Sequence, residues 1–276
     1  MLVSFNEILT MAEEGGYAIP ALNVYNLETV MGVIAAAEEE RAPIILQIYS
    51  RLLTNEEGYY VSPIILAAAE KASVPVCFHL DHGASEFEVS RAMRYGATGI
   101  MIDRSLAPIE ENVEVTKRVV GYCNAIGVAV EGEIGHVGVA ANGDENADYT
   151  TVEDAKFFVE STGVRALAIA VGTAHGRYKK EPKLAIDRIA EIHAATDVAL
   201  VLHGGSGIPD AQIKAAIKAG IRKINFSTDL CYTFLDTIFA TPRDKVGIDL
   251  FMKDAVAAVK QFAISKIRLL GANGKA

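Results

Sequence analysis

Three histidines, His82, His175 and His203, each stand immediately before a glycine. Each His-Gly step closes a segment that opens with β-forming apolar residues: VPVCFHLDHG, RALAIAVGTAHG and VALVLHGG. Runs of this kind read as buried parallel strands, and a glycine at the end lets backbone or ligand approach closely. In a barrel of alternating strands and helices, catalytic groups collect where the strands end. Three imidazoles gathered there, with the Asp81 carboxylate beside one of them, describe a catalytic zinc site with an open position. A single histidine after a strand is more often a hydrogen-bonded loop residue; three in the same register favour the metal. The other histidines differ: His79 points within its strand behind the site, His193 sits on a helix surface, and His136 lies in a loop where either role fits.

The elements that must hold these groups alternate along the chain. Strands are expected at 17–22, 43–48, 74–80, 98–102, 126–131, 165–171, 198–202 and 221–225. Helical patterns fill 27–41, 61–72, 85–95, 109–124, 152–162, 183–195 and 209–219, with a further helix at about 249–270 after the TPRD step. Eight strand–helix units predict a single α/β domain over 1–276, a (β/α)8 TIM barrel with an additional C-terminal helix. The longest loops are 49–60 and 135–151; the second is rich in Gly, Asn and Asp, the composition of an active-site lid.

Polar residues recur at or just after the strands: Asn23, Gln47 and Ser50, Asp81 and His82, Asp103, Glu131 and Glu133, His175, His203 and Asn225. A purely structural chain has no reason to place polar groups at all of these positions. Two stretches suit phosphate. HGGSGIP (203–209) offers glycine N–H groups and the Ser206 hydroxyl at a helix start, and NFSTD (225–229) offers Asn225, Ser227 and Thr228 at another. Helix N-termini carry partial positive charge, and the loops after strands seven and eight are the usual phosphate cradle of this fold. The plainer alternatives are a turn and an N-cap.

Charge and composition narrow the partners. A net charge of −9 argues against nucleic acid and anionic membranes. An anionic substrate must therefore be held by local groups rather than by the overall field. Cys77, Cys123 and Cys231 are odd in number and lack a CxxC pair, so they read as reduced thiols. The N-terminal stretch is acidic and amphipathic without a signal-peptide pattern, and no apolar run reaches the length of a membrane span. A cytoplasmic enzyme is expected.

The motifs HLDHG, GIMID, VEGEIG, GTAHG, LVLHGGSGIP and KINFSTD, in this order over essentially the whole chain, resemble the class II, zinc-dependent ketose-bisphosphate aldolases, in the branch of tagatose- and fructose-bisphosphate aldolases. The resemblance implies that His82, His175 and His203 bind Zn²⁺, a Lewis acid toward the ketose carbonyl, with Glu133 offering the metal an alternative, more buried position. It implies that Asp81 removes the C4 hydroxyl proton in cleavage and returns it in condensation. Gly176, Gly204, Gly205 and Ser206, with Asn225, Phe226, Ser227 and Thr228, resemble the dihydroxyacetone-phosphate site; Asn23 and Ser50 complete the substrate contacts. A monovalent cation (Na⁺ or K⁺) near those loops is likewise implied, as are a homodimer or homotetramer and an Arg243 that reaches the far anionic group of the substrate, in some relatives from a neighbouring subunit. Glu131 reads as structural or behind the metal ligands.

Two departures bear on the substrate. The lid stretch GVAANGDEN lacks a carboxylate where relatives carry the glutamate that exchanges a proton on the dihydroxyacetone carbon; Asp144 or Glu145 would have to substitute. The common Met-Ile-Asp-Gly-Ser-His step is here MIDRSLAP, with Arg104 for glycine and Leu106 for histidine. Arg104, with Arg51 after strand two, either binds a carboxylate, sulfonate or second phosphate or serves as a surface or subunit contact. The default substrate is therefore fructose or tagatose 1,6-bisphosphate, cleaved to dihydroxyacetone phosphate and glyceraldehyde 3-phosphate. The alternative is a related ketose phosphate with another anionic group, such as 6-deoxy-6-sulfofructose 1-phosphate or 2-deoxy-5-keto-gluconate 6-phosphate. Metal-dependent hydrolysis would want a metal-bridging lysine or more carboxylates. A non-catalytic member would have lost Asp81 or a zinc histidine, and all four are intact.

Overall fold

Eight apolar runs, each too short to bury itself, pair side by side through parallel ladders, and β8 returns to β1 to close a barrel in the order β1 to β8. The strands are β1 Ile19–Asn23, β2 Ile44–Tyr49, β3 Val76–Gly83, β4 Gly99–Ile102, β5 Ala129–Ile134, β6 Ala166–Ile169, β7 Ala199–Leu202 and β8 Ile221–Phe226. This computed structural model describes residues 1–135, 137, 149–178 and 180–276. Nearly every strand residue is buried, as a parallel sheet covered on its outer face by helices requires.

Helices α2 Leu27–Glu40, α4 Glu57–Lys71, α5 Glu86–Arg94, α6 Ile109–Asn124, α7 Val152–Thr162, α8 Ile186–Ala195, α9 Asp210–Ala219 and α10 Thr228–Ala240 follow the strands in turn. The C-terminal helix α11, Ile248–Leu270, turns its buried stripe Ala255, Val259, Ala263 and Ile267 inward. At the other end of the barrel, α1 (Phe5–Gly15) is capped by Ser4 and Glu7 and buries Phe5, Ile8, Leu9 and Ala12. The Phe5 N–H donates to the Thr98 carbonyl just ahead of β4, so this helix closes the floor, opposite the strand ends.

Three departures of the elements from the sequence reading bear on the positions of the site residues. The stretch 49–60 is no loop: a short helix α3, Ser50–Thr54, buries Leu52 and Leu53, and α4 begins at Glu57 and runs through Pro63. Proline there removes one hydrogen bond from the helix ladder. Strand β5 starts three residues later than 126, because Gly127 adopts a left-handed turn after α6. Glu131 and Glu133 consequently lie inside the strand. Strand β6 ends at Ile169, so His175 arrives on the loop beyond it and not from the strand itself. Among the described residues no helix is long and apolar enough to cross a membrane.

Candidate active site

Side chains two apart on a strand share a face. Three such pairs, His79 and Asp81 on β3, Glu131 and Glu133 on β5, and Lys223 and Asn225 on β8, are buried together inside the barrel. His82 follows Asp81 directly and on a regular strand would point outward into the helical layer. Instead the β3–β4 register shifts between Leu80 and Gly83, and His82 takes a left-handed φ of 50°. This bulge turns two consecutive side chains toward one site, a costly conformation for a residue other than glycine.

The three imidazoles meet there: His82, His175 and His203 each offer a ring nitrogen, all within 4.8 Å of one another. Each has its other nitrogen anchored to an oxygen. His82 Nδ1 lies 2.7 Å from Asp103 Oδ2, His203 Nε2 lies 2.8 Å from Glu131 Oε1, and His175 Nδ1 lies 3.2 Å from the Val137 carbonyl. Asp103 is held in turn by the Ser105 N–H and hydroxyl. Such anchors fix which nitrogen keeps a lone pair for the site. His82 Nε2 and His203 Nδ1 then face each other at 2.9 Å, a separation that two bare lone pairs reach only with a proton or a metal cation between them.

Electrostatics agree. Burial, and next the charge on His82, hold His203 well below the ordinary imidazole range; the same causes lower His175 to about 4. Burial also opposes a proton on His82, but the carboxylates of Asp81, Asp103 and Glu133 outweigh it and raise this imidazole to about 10. The carboxylates around His82 thus favour positive charge where three donors converge. Glu133, pushed up to about 8 by burial and by Asp103, keeps Oε2 buried without a hydrogen-bond partner beside His82 and His203. It also forms a second donor group with His82 and Asp103. Three imidazoles with oxygen-anchored outer nitrogens and an unpartnered carboxylate oxygen fit a zinc ion.

Asp81 lies at the edge of this cluster, its Oδ1 3.9 Å from His82 Nε2. Its oxygens accept amide hydrogens from Asn23 at 2.7 Å and Asn225 at 3.1 Å, which fix the carboxylate plane. His82, His175 and Asp81 open into a cavity of about 870 Å³ that Ser50, Arg51, Arg104, Gly176, Gly204, Ser206, Asn225, Ser227 and Thr228 also line, with His203 fully buried behind them. The Ser206 hydroxyl accepts from the Asp229 N–H at the start of α10, joining the two loops. Ser227 bonds the Tyr25 hydroxyl at 2.7 Å.

Not every expected residue reaches the cavity. The Gly205 N–H donates to the Asn225 carbonyl, so this amide is spent on β8 and is withheld from a ligand. A Cβ at Gly205 would come within 2.8 Å of that same carbonyl oxygen; glycine serves strand–loop packing there. Phe226 is fully buried, with its ring 5.1 Å from Lys266 Nζ of α11 and outside the cavity lining. Arg243 is exposed between α10 and α11, away from the cavity. Arg104 does line it, held by Glu111 at 2.6 Å, and Arg51 stands 5.5 Å from the Tyr49 ring. His193 is exposed on α8. His136, Asp144 and Glu145 lie outside the described residues. Sequence reasoning passed over Tyr49, Tyr25 and Lys223: aromatic and basic letters within or just after apolar strands carry no signal of their own until the fold is known.

The family described as "Fructose-bisphosphate aldolase class-II" matches residues 3–275, and the chain belongs to it. It is 38% identical to a protein of Bacillus licheniformis named 6-phospho-5-dehydro-2-deoxy-D-gluconate aldolase, over 99% of this chain and 96% of that one. It is 37% identical to a fructose-bisphosphate aldolase of Staphylococcus epidermidis, over 100% and 99% of the two chains. The crystal structure of the YdjI aldolase from Escherichia coli superposes with a TM-score of 0.91 at 37% identity, covering 100% of both chains. The protein is a carbon–carbon lyase of the aldolase class.

Proposed function

We propose that the protein catalyses reversible, zinc-dependent cleavage of a ketose 1,6-bisphosphate of the fructose or tagatose type to dihydroxyacetone phosphate and glyceraldehyde 3-phosphate. The observation that carries this reading is the cluster of His82, His175 and His203 beside the doubly held Asp81, at a cavity lined by the loops after β7 and β8. His82, His175 and His203 would hold the zinc, with Glu133 as the alternative ligand. Bound there, zinc supplies Lewis-acid polarisation of the ketose carbonyl. Asp81 takes the C4 hydroxyl proton during cleavage and returns it during condensation; Asn23 and Asn225 keep its carboxylate aimed. Gly176, Gly204, Ser206, Ser227 and Thr228 receive the phosphate beside the α10 N-terminus. A monovalent cation near these loops, Na⁺ or K⁺, belongs to the same reading.

Ser50, Arg51 and Arg104 stand toward the far part of the substrate. Arg243 would serve only from a second copy, in keeping with a homodimer or homotetramer. A cytoplasmic setting suits three cysteines that form no disulfide. The two arginines also favour a second reading: the same chemistry on a ketose phosphate ending in a carboxylate or sulfonate, the former named for the Bacillus relative.

The test is aldol cleavage by the zinc-loaded protein. Fructose 1,6-bisphosphate, tagatose 1,6-bisphosphate, 6-deoxy-6-sulfofructose 1-phosphate and 6-phospho-5-dehydro-2-deoxygluconate are compared side by side, with dihydroxyacetone phosphate detected by a coupled dehydrogenase. Preferential turnover of a bisphosphate is expected. Preference for the carboxylate or sulfonate substrate selects the second reading, and no triose phosphate from any of them overturns both.

A further inference from the structure

Below the imidazoles, Lys223 is a fully buried lysine whose ammonium faces two polar side chains. Its Nζ donates to Asn225 Oδ1 at 2.8 Å and forms an ion pair with Glu131 Oε2, also at 2.8 Å. An ammonium has only hydrogens to offer, and a carboxylate has only lone pairs. The Asn225 carboxamide lies between one of each: Lys223 on the oxygen side and Asp81 Oδ1, 3.1 Å away, on the nitrogen side. Rotating the amide by 180° would set its N–H group against the ammonium and its oxygen against the carboxylate. Both contacts would turn repulsive, in a place where no water can intervene cheaply.

We propose that Lys223 is a positioning residue for the proton-transferring carboxylate: it locks the Asn225 amide so that Nδ2 holds Asp81 in place. The same ammonium balances Glu131, whose other oxygen anchors His203 Nε2 at 2.8 Å. One buried cation therefore serves both halves of the site, the acid–base group through Asn225 and a metal-facing imidazole through Glu131. Nothing in the contacts brings Lys223 itself to the cavity, whose lining it does not join. The inference rests on the reading of Asp81 as the proton acceptor.

Lys223→Met keeps the length and removes the donor. Because it strands the Glu131 carboxylate, the same substitution is also made beside Glu131→Gln and compared with Glu131→Gln alone. In a variant that folds and retains stoichiometric zinc, kcat for cleavage should fall about 10- to 100-fold, the value of a charge-assisted hydrogen bond expressed in a transition state. KM should change less than kcat, since the phosphate-facing Gly176, Gly204, Ser206, Ser227 and Thr228 are untouched. With the Glu131 route neutralised by Glu131→Gln, lysine acts on Asp81 through Asn225 alone, so in an Asn225→Ala, Glu131→Gln background Lys223→Met should cost less than about threefold. A crystal structure of the Lys223→Met protein should show Asn225 turned away from Asp81.

Unchanged kcat in a folded, zinc-bound variant overturns the proposal, as does an equal loss in the Asn225→Ala, Glu131→Gln background. An Asn225 amide still seated on Asp81 in the variant crystal overturns it too, independently of any activity. Failure of the wild-type protein to cleave any ketose phosphate would instead count against the reading of Asp81.

Discussion

At the scale of single residues, what each group can do is set by what faces it. Asp81 is held by two amides and stands beside the imidazole cluster, so Asp81→Ala should lower turnover by about 10²–10⁴-fold while zinc content and thermal midpoint stay close to wild type. Retained turnover would remove Asp81 from the proton path. Arg104 lines the cavity yet is already paired with Glu111. If it also meets a distal anion, Arg104→Ala should raise KM for an anionic substrate by about tenfold, with kcat little changed. An unaltered KM would leave Arg104 with Glu111 alone. The histidines were legible in the sequence because the same His-Gly step recurs after three separate apolar runs. Lys223 was not, because listing the residues at strand ends stops at Asn225, and only the register reveals that a lysine two residues earlier shares its face.

At the scale of elements, the strand runs were readable as buried parallel strands because both faces of such a sheet are covered, leaving continuous apolar letters. Boundaries were less readable where a turn outranked the pattern, as at Gly127 ahead of β5, and where short-range burial of Leu52 and Leu53 made a helix from an apparent loop. The bulge at the end of β3 was invisible, since nothing in HLDHG distinguishes it from a regular strand. Its glycine shows the constraint: a Cβ at Gly83 would lie 2.6 Å from the Met101 carbonyl oxygen and 2.8 Å from Leu80 Cδ2. Gly83→Ala should therefore destabilise the fold by ~1–3 kcal/mol, visible as a lower chemical midpoint, and should weaken zinc retention by shifting His82. Normal stability would mean that the neighbouring strand gives way easily. The thiols belong to these packed elements as well. Burial raises Cys77 to about 12 and Cys123 to about 11, and raises Cys231 also. A raised value means fewer thiolates at neutral pH, so disulfide-exchange reagents should react slowly with the native protein at pH 7. The rate should climb roughly tenfold per pH unit. Rapid labelling of all three thiols at pH 7 would contradict the buried placement.

At the scale of the whole molecule, the barrel closes through its strand ladders and an apolar core. Removing zinc with EDTA should abolish cleavage and leave the far-ultraviolet circular dichroism unchanged, with activity returning on re-addition of Zn²⁺. Loss of the helical signal would show that the metal holds the frame together. The two ends of the barrel are nevertheless in mechanical contact. On the floor, the Phe5 ring of α1 packs 4.5 Å from the His79 ring; His79 Nε2 lies 3.6 Å from Glu131 Oε2, and Glu131 carries His203. A column of three side chains thus runs from the closing helix to His203, one of the three clustered imidazoles. For anyone building variant libraries, the end remote from the chemistry is not neutral ground: diversity introduced around Phe5 travels up that column, and a screen for stability alone would select changes whose effects surface at the opposite mouth.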